Sequence, residues 1–441
     1  MTAALQALAQ VAAEASEPLA GVRIGGRVTE ITRAYWRVRG LSAFVKLGDC
    51  VSIETRNGSE LGEIVRIDDQ GATVKPYHAG AETGLGMPVW RVGRVTIAPQ
   101  DGWRGRVVDA LGRPIDGGAS LPGGEDARSI EAPPPSALKR KPVRKAVKTG
   151  IRVMDIFTPL CAGQRVGIFA GSGIGKTTLL AMLAHSGGFD TVVVGLVGER
   201  GREVRDFIEE AMGGDLSRTV LVVATSDESP MMRRLAPKTA MTIAEYFRDK
   251  GEEVLLILDS VTRYAHACRD VALAAGEPPV ARGYAPSVFT DLPKLLERAG
   301  PGEDGSGSIT GIFSVLVDGD DHNDPVADNV RGTLDGHIVL DRAIAEQGRY
   351  PAVNMLASVS RLAQHVWTAE QRTLVMKLKG LVSRFEDTRD LRLMGGYQPG
   401  ADTELDQAVQ LVPKIYNAMK QGPGAAGGEF GFRELAEALS A

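Results

Sequence analysis

The stretch Phe169–Leu180, FAGSGIGKTTLL, places a glycine-rich loop with one lysine and two threonines between two apolar segments. The preceding residues 165–170, RVGIFA, are typical of a buried strand, and residues 177–187, TTLLAMLAHSG, have the spacing of a helix. A strand, a glycine loop ending in Lys-Thr and a helix, in that order, are the context in which a P-loop occurs. The sequence therefore predicts a phosphate-binding loop at 170–177 within an α/β fold.

The residue types of this loop suit a nucleoside triphosphate. Gly171, Gly173 and Gly175 allow the tight turn that points backbone N–H groups at phosphate oxygens, and the following helix adds the positive end of its dipole. Lys176 is expected to reach the β- and γ-phosphates, and the hydroxyl of Thr177 to bind Mg²⁺. The predicted nucleotide-binding residues of the loop are Gly171, Ser172, Gly173, Ile174, Gly175, Lys176, Thr177 and Thr178.

The loop departs from the strict P-loop pattern at its first position, where Ala170 replaces glycine. Alanine fits there if its φ angle is negative, because only a positive φ strongly favours glycine. The alternative interpretation is a glycine-rich turn in which the lysine occurs by chance.

Two carboxylates follow other apolar segments. Asp259 ends the run EVLLILD at 253–259, where a carboxylate can hold Mg²⁺ through water. Glu199 follows the run TVVVGLVG at 191–198 and could polarise a water molecule for attack on the γ-phosphate. From spacing alone, Glu199 could equally be a capping or salt-bridged surface glutamate.

The sequence patterns of the chain indicate three domains. Short β-rich runs such as GRVTEI and DCVSIET predict a small antiparallel barrel or sandwich at 21–97. Apolar strands alternating with helical patterns predict a parallel-sheet P-loop domain at 98–375, including a crossover helix within 237–251. Charged helical patterns alone predict a helical domain at 376–441. Residues 1–20 have a thin apolar stripe, which fits either a frayed tail or a helix that binds a partner.

Composition excludes several functional classes. A net charge of −4 gives no general reason to expect nucleic acid, and the basic cluster at 139–145 is expected to be a solvated surface segment beside prolines. Three widely spaced cysteines argue against a disulfide framework and fit a reducing cytoplasm. Residues 1–21 lack the basic start and long apolar centre of a signal peptide, and no run reaches the roughly 18 apolar residues of a membrane span, so we expect neither feature.

Several long, ordered blocks resemble one family. With the P-loop, the blocks VGERGREV, LDSVTRYAHACRD, GEPPVARGYAPSVFTDLPKLLERAG and YPAVNMLASVSRLA resemble the superfamily of rotary ATP synthases and type III export ATPases, over nearly the whole chain after residue 20. Within it, residues 276–300, residues 307–342 and SVSRLA most resemble the flagellar protein export ATPases, with the injectisome ATPases as close siblings. The resemblance implies a RecA-like central domain and a six-membered ring with nucleotide at each subunit boundary.

The resemblance also implies roles for individual residues. Glu199 matches the residue that activates the hydrolytic water, and Arg200 and Arg263 match arginines that line the phosphate pocket. Tyr350 matches the aromatic residue that stacks on adenine. Arg361 matches the arginine finger that reaches the γ-phosphate of the neighbouring subunit, the alternative being a structural arginine paired within its own domain. A second aromatic contact to adenine is expected from the C-terminal domain, where Phe430 and Phe432 are candidates.

The predicted function is that of an ATP hydrolase of the flagellar type III export apparatus. Its homohexameric ring is expected to couple hydrolysis of ATP, with Mg²⁺, to delivery or unfolding of export substrates at the export gate, in the cytoplasm against the inner membrane. Expected partners are export substrates and chaperones, a regulator or stator protein at residues 1–20, and a central coiled-coil stalk protein near Tyr397 in the loop GGYQPGAD. The alternative for this loop is a plain turn between two helices. The alternatives are an injectisome ATPase, a catalytic subunit of a rotary synthase, an RNA translocase and a non-catalytic ring member.

Overall fold

The computed structural model describes residues 23–56, 58–78, 82–317, 324–425 and 431–440. The helix predicted at 1–20 lies outside the described residues. The chain divides into two compact units, one formed by the residues up to Val95 with Val271–Glu277, and the other by Thr96–Asp270 with Pro278–Ala441.

The first unit contains a closed antiparallel barrel of six strands, with the neighbour order β1-β2-β5-β4-β3-β6 and β6 pairing with β1. Its interior is filled by the apolar side chains that alternate along the strands, for example Val51 and Ile53 of β3 against Ile64 of β4. The strands are β1 (Gly25–Ile31), β2 (Trp36–Arg39), β3 (Cys50–Thr55), β4 (Gly58–Asp68), β5 (Gly71–Pro76) and β6 (Pro88–Gly93). The expected antiparallel β-domain is confirmed, and it is a barrel rather than a sandwich.

The connector that opens the second unit is held against it by short strands and by basic side chains. The strands are β7 (Thr96–Ile97), β8 (Val107–Val108), β9 (Arg128–Ser129), β10 (Ala146–Val147) and β11 (Leu160–Cys161). The guanidinium of Arg140 donates to the carbonyl oxygens of Glu297 and Ala299, at 2.5 and 3.3 Å, and the ammonium of Lys141 donates to that of Ser306 at 2.8 Å. Part of the basic cluster that we expected to be solvated therefore fixes the connector to the domain that follows it.

The second unit is built on a nine-stranded sheet with the order β19-β18-β12-β17-β15-β13-β14-β8, in which β16 pairs with β17. The pairs from β18 to β8 along this order are parallel. The central strands are buried almost throughout, which explains why they read as continuous apolar runs. The remaining strands are β12 (Arg165–Ala170), β13 (Thr191–Val197), β14 (Thr219–Ala224), β15 (Glu253–Asp259), β16 (Gly300–Pro301), β17 (Ser308–Leu316), β18 (Gly336–Val339) and β19 (Val359–Ser360).

The helices follow the predicted alternation, with one difference in length. The crossover helix expected within 237–251 begins earlier, at Pro230, because Ser229 caps it and a proline is favoured in the first turn. The helices are α1 (Arg152–Phe157), α2 (Lys176–Ala184), α3 (Gly201–Asp206), α4 (Pro230–Asp249), α5 (Val261–Ala274), α6 (Pro286–Leu296), α7 (Pro325–Thr333), α8 (Arg342–Glu346), α9 (Ala369–Asp387), α10 (Arg389–Leu393), α11 (Thr403–Met419) and α12 (Phe432–Ser440). Among the described helices, none combines the length and apolar character needed to cross a lipid bilayer.

The C-terminal helices share one hydrophobic core with the sheet. Val375 and Leu378 of α9 and Ile415 of α11 are buried in the same cluster as the strands around the P-loop. Helix α9 begins at Ala369, where Thr368 and Gln371 form a capping box, so the domain boundary proposed at 375/376 falls within this helix. The fold class expected from the sequence is therefore confirmed: the chain has a barrel, a parallel α/β sheet and a helical C-terminal part.

Candidate nucleotide site

The glycine-rich loop has the geometry of a phosphate cradle. It leaves β12 at Ala170 and enters α2 at Lys176. Gly173 and Gly175 have φ angles of 77° and 89°, which a residue with a side chain rarely adopts. Ala170 is not among the residues with positive φ, so its methyl group fits and the departure from the strict pattern has no steric cost.

The side chains of the loop divide into a buried and an exposed set. Ile174 is buried in the core and anchors the loop, so only its backbone N–H is available to a ligand. Ser172, Thr177 and Thr178 are exposed, and both threonines lie in the first turn of α2. The hydroxyl of Thr177 is thus placed where the helix N-terminus attracts anions and their counterions.

Lys176, Glu199 and Asp259 lie together at the carboxyl edge of the sheet. The ammonium of Lys176 contacts Oδ1 of Asp259 and lies 4.0 Å from Oε1 of Glu199. All three side chains are largely buried, with 11% of the Glu199 side chain and 5% of the Asp259 side chain exposed. They meet because the parallel strands β12, β13 and β15 end at the same edge.

The surroundings of Glu199 raise the pKa of its carboxyl group. Burial raises its pKa to about 7, and a hydrogen bond with Glu203 and the negative charge of Asp259 act in the same direction, against the charges of Lys176 and Arg263. The guanidinium of Arg263 lies 3.3 Å from Oε2 of Glu199. A carboxyl group with a pKa near neutral pH is suited to general-base chemistry, so the environment favours the catalytic interpretation of Glu199 over that of a surface cap.

Tyr350 lies beside the loop, and Arg200 does not. Tyr350 is 48% exposed, and the edge of its ring lies 3.6 Å from the position that a β-carbon on Gly175 would occupy. The side chain of Arg200 is 80% exposed, and its guanidinium lies 3.6 Å from Glu203, outside the Lys176 cluster. Within a single chain, Tyr350 is therefore positioned next to the cradle, while Arg200 is exposed and pairs with Glu203, the residue that bonds to Glu199.

Arg361 lies at the opposite edge of the sheet from the P-loop. It follows β19, and its backbone N–H donates to Asp335, whose own N–H donates to Arg165 at the start of β12. The P-loop begins at the other end of β12, roughly 17 Å away at about 3.3 Å per residue. The Arg361 guanidinium is exposed and makes no hydrogen bond or ion pair within the described part of the chain. This placement differs from that of a structural arginine paired within its own domain.

Among the described residues of the C-terminal helices, Tyr416 of α11 is an aromatic residue that approaches Tyr350. Both rings line one small cavity of about 20 Å³, and the guanidinium of Arg349 lies 3.7 Å from the centre of the Tyr416 ring. Phe432 packs against the same hydrophobic core as Tyr416 but does not line this cavity, and Phe430 lies outside the described residues. The segment KIYNAMK already contained Tyr416, but its approach to Tyr350 depends on how α11 packs on the sheet.

Three further polar residues of the site were not identified from the sequence. Glu203, four residues after Glu199, bonds to it, and this bond lowers the pKa of Glu203. The hydroxyl of Ser314 donates to Oδ1 of Asp259 at 2.7 Å, and the guanidinium of Arg342 donates to the carbonyl oxygen of Ser172 at 3.0 Å. A serine inside the apolar run SITGIFSVL was the one signal that could have been read in advance.

These features define a P-loop ATPase. They are a parallel sheet with a glycine-rich phosphate cradle, a carboxylate facing the P-loop lysine, and a second carboxylate whose pKa is raised to near neutral pH. Residues 150–360 match the nucleotide-binding domain of the ATP synthase alpha/beta family, and residues 367–440 match the T3SS EscN ATPase C-terminal domain.

Whole-chain comparisons identify the family. The chain is 56% identical to a flagellum-specific ATP synthase of Rhizobium meliloti, covering 99% of this chain and 94% of that one. It is 42% identical to that of Salmonella typhimurium, with 92% and 91% covered. The chain belongs to the family of flagellum-specific ATP synthases.

Solved structures agree with this assignment. The assembled ATPase EscN of the enteropathogenic E. coli type III secretion system superposes with a TM-score of 0.87 at 39% identity, covering 94% of this chain and 99% of that chain. The same ATPase in complex with its central stalk EscO superposes with a TM-score of 0.84 at 38% identity, with the same coverage.

Proposed function

We propose that this protein is the ATP hydrolase of a flagellar type III protein export apparatus. The observation that carries the proposal is the cluster of Lys176, Glu199 and Asp259 at one sheet edge, with Glu199 tuned to act as a base at neutral pH. The flagellar rather than the injectisome system is favoured by the 56% identity to a flagellum-specific ATP synthase over almost the full length of both chains.

The residues of the cluster have distinct roles in this proposal. Lys176 leaves Asp259 and binds the β- and γ-phosphates together with the N–H groups of the loop. Thr177 and Asp259 would hold Mg²⁺, which would supply charge neutralisation for the phosphoryl oxygens. Their oxygen donors fit this ion, which keeps several waters and needs only one or two protein ligands. Oδ2 of Asp259 makes no hydrogen bond within the described residues and is available to it.

Glu199 then orients the attacking water and accepts its proton, while Arg263 holds the carboxylate in place. Tyr350, whose ring is half exposed beside Gly175, stacks on adenine. Tyr416 is better placed than Phe432 to serve as the second aromatic residue of the adenine pocket.

We propose further that the site is completed by a second copy of the chain in a homohexamer. Arg361 lies at the sheet edge opposite its own P-loop and has no internal partner among the described residues, so it is available to the nucleotide of a neighbour. A closed ring is the assembly in which one surface of each copy meets a different surface of the next. The exposed Arg200 is available to line the phosphate pocket at the same boundary.

The remaining partners are proposed from surfaces and relatives. Leu391, Leu393 and Met394 are exposed next to Tyr397, whose hydroxyl donates to Asp406 at 2.6 Å. This apolar tip suits a central coiled-coil stalk such as the one solved with EscN. A regulator at residues 1–20, export substrates and chaperones, and an export gate at the inner membrane complete the proposed apparatus. Nucleic acid is not proposed as a partner.

The proposal is tested first in solution and then in cells. ATPase rate per chain should rise steeply with protein concentration in parallel with measured mass, and a flat rate from a monomer would contradict the ring. A strain lacking the gene should lose flagellar filaments and secreted hook protein. The wild-type gene should restore both, whereas Glu199→Gln, produced at the same level, should restore neither. Unimpaired flagellation of the deletion strain would exclude the flagellar assignment.

A further inference from the structure

Ser314 is a buried hydroxyl residue near the carboxyl end of β17. It lies in β17, is 0% exposed, and donates its hydroxyl hydrogen to Oδ1 of Asp259 at 2.7 Å. Strands β15 and β17 run parallel with Leu258 opposite Phe313, so Asp259 and Ser314 occupy the next position of the same register. Partners in register present their side chains on the same face of a sheet.

The same oxygen of Asp259 is contacted by Lys176. If Lys176 moves to the phosphates when nucleotide binds, as the proposed function requires, Asp259 loses that partner. Its side chain is almost fully buried, and a buried carboxylate oxygen without a donor carries a desolvation penalty. Ser314 remains because its position is fixed by the backbone of the sheet and not by a flexible side chain.

We propose that Ser314 is a positioning residue for the metal site. Its hydroxyl holds Oδ1, which fixes the rotamer of Asp259 and leaves Oδ2 directed away from this bond for the water shell of Mg²⁺. Partners of this kind in the outer coordination shell typically contribute 10- to 100-fold to metal affinity. The inference rests on the proposed function, since it assumes that Asp259 serves Mg²⁺.

The chain contains a matched control for this proposal. Ser308, at the other end of β17, donates its hydroxyl hydrogen to Glu253 of β15, and these two residues are also opposite each other in the register. Ser308 and Ser314 therefore make the same type of bond between the same two strands. Only the Ser314 bond reaches the phosphate edge, so the pair separates metal positioning from a general stabilisation of the sheet.

The experiment measures binding of a fluorescent ADP analogue to the full-length protein, first in EDTA and then during titration with Mg²⁺. Ser314→Ala should raise the Mg²⁺ concentration for half-maximal tightening about 10-fold, with nucleotide affinity in EDTA unchanged. Ser314→Thr, which keeps the hydroxyl, and Ser308→Ala should both stay within about 2-fold of wild type. Ser314→Cys keeps the packing with a weak donor and should behave as Ser314→Ala, which covers the case in which the alanine variant does not fold.

Three results would overturn the inference. The first is a Mg²⁺ requirement of Ser314→Ala or Ser314→Cys within 2-fold of wild type. The second is an equal shift in Ser308→Ala, and the third is a loss of ADP affinity of Ser314→Ala in EDTA, because either of these would indicate general loosening of the sheet. If wild-type protein binds ADP without any response to Mg²⁺, the proposed metal site itself fails, and the role of Ser314 fails with it. Since no hydrolysis or export is measured, these outcomes remain separate from the flagellar assignment.

Discussion

Replacing Glu203 with glutamine should move the acidic limb of the ATPase pH profile to lower pH. Glu199 has a pKa of about 7 in the nucleotide-free protein, and a general base works only when ionised. Activity of the wild type, measured as kcat/KM, should therefore fall as pH decreases through about 7. The bond between the two carboxyl groups exists only when one of them holds a proton, so it favours the neutral form of Glu199.

The size of the effect follows from this bond. A hydrogen bond to a charged group is worth roughly 1.5–3 kcal/mol, and one pKa unit corresponds to about 1.4 kcal/mol. The amide of glutamine can donate to ionised Glu199, so the bond no longer favours the neutral carboxyl and the pKa of Glu199 should fall by at least about one unit. At pH 6 the ionised fraction should then rise from about a tenth to about half, a gain of about fivefold relative to the plateau of the same enzyme.

The assay compares kcat/KM of wild type and Glu203→Gln from pH 5.5 to 9 at saturating Mg²⁺, each normalised to its own plateau. Normalisation removes any loss of maximal rate caused by the substitution. Ionisation of the substrate is common to both enzymes and cancels in the difference. A wild-type limb below pH 5.5 would refute the assigned environment of Glu199. If the acidic limb of the Glu203→Gln profile stays in place or moves to higher pH, the bond between Glu203 and Glu199 does not raise the pKa of Glu199.

Three further predictions concern individual residues. Glu199→Gln should melt at a higher temperature than wild type at pH 8 but not at pH 5. The raised pKa of the Glu199 carboxyl group destabilises the folded wild-type protein as pH rises above the pKa of the unfolded chain, near 4.5. The destabilisation reaches up to about 3 kcal/mol once pH exceeds 7. Equal melting temperatures at pH 8 would contradict this. Lys176→Ala should abolish binding of a fluorescent nucleotide, and retained micromolar binding would exclude the cradle. Arg361→Ala should lose about 10³-fold or more in turnover with ADP affinity unchanged, and mixed rings with Lys176→Ala should recover activity. A verified mixed ring that stays inactive would exclude the supply of this arginine by a neighbour.

The parts of the site that could be predicted from the sequence are those encoded locally. Lys176 is identified by the glycines before it and the helix after it, and Asp259 by the apolar strand that it ends. The two residues are 83 positions apart, yet their meeting follows from a general rule, because parallel strands end at a common edge where ligands bind. No knowledge of strand order was needed for that step.

The contacts that could not be predicted depend on register and packing. Ser314 reaches Asp259 because β15 and β17 are neighbours with a fixed offset of 55 residues, which no local pattern records. Tyr416 reaches the pocket of Tyr350 through the packing of α11, whereas the aromatic residues considered from the sequence lie elsewhere or outside the described residues. The barrel likewise required the pairing of β1 with β6, between strands that are far apart in the chain.

The position of Arg361 connects the fold to assembly. A single chain brings together the phosphate loop, Asp259 and Glu199, the residues to which the proposed function assigns triphosphate binding and orientation of the water molecule. Arg263, which lies beside Glu199, is paired with that carboxylate, and Arg361 lies at the amino end of the sheet, where β19 pairs antiparallel with β18. Moving it to its own P-loop would require breaking that pairing. In the proposed function, a neighbouring copy supplies this charge without any change in fold, and the proposed dependence of hydrolysis on assembly would follow from the direction of one short strand.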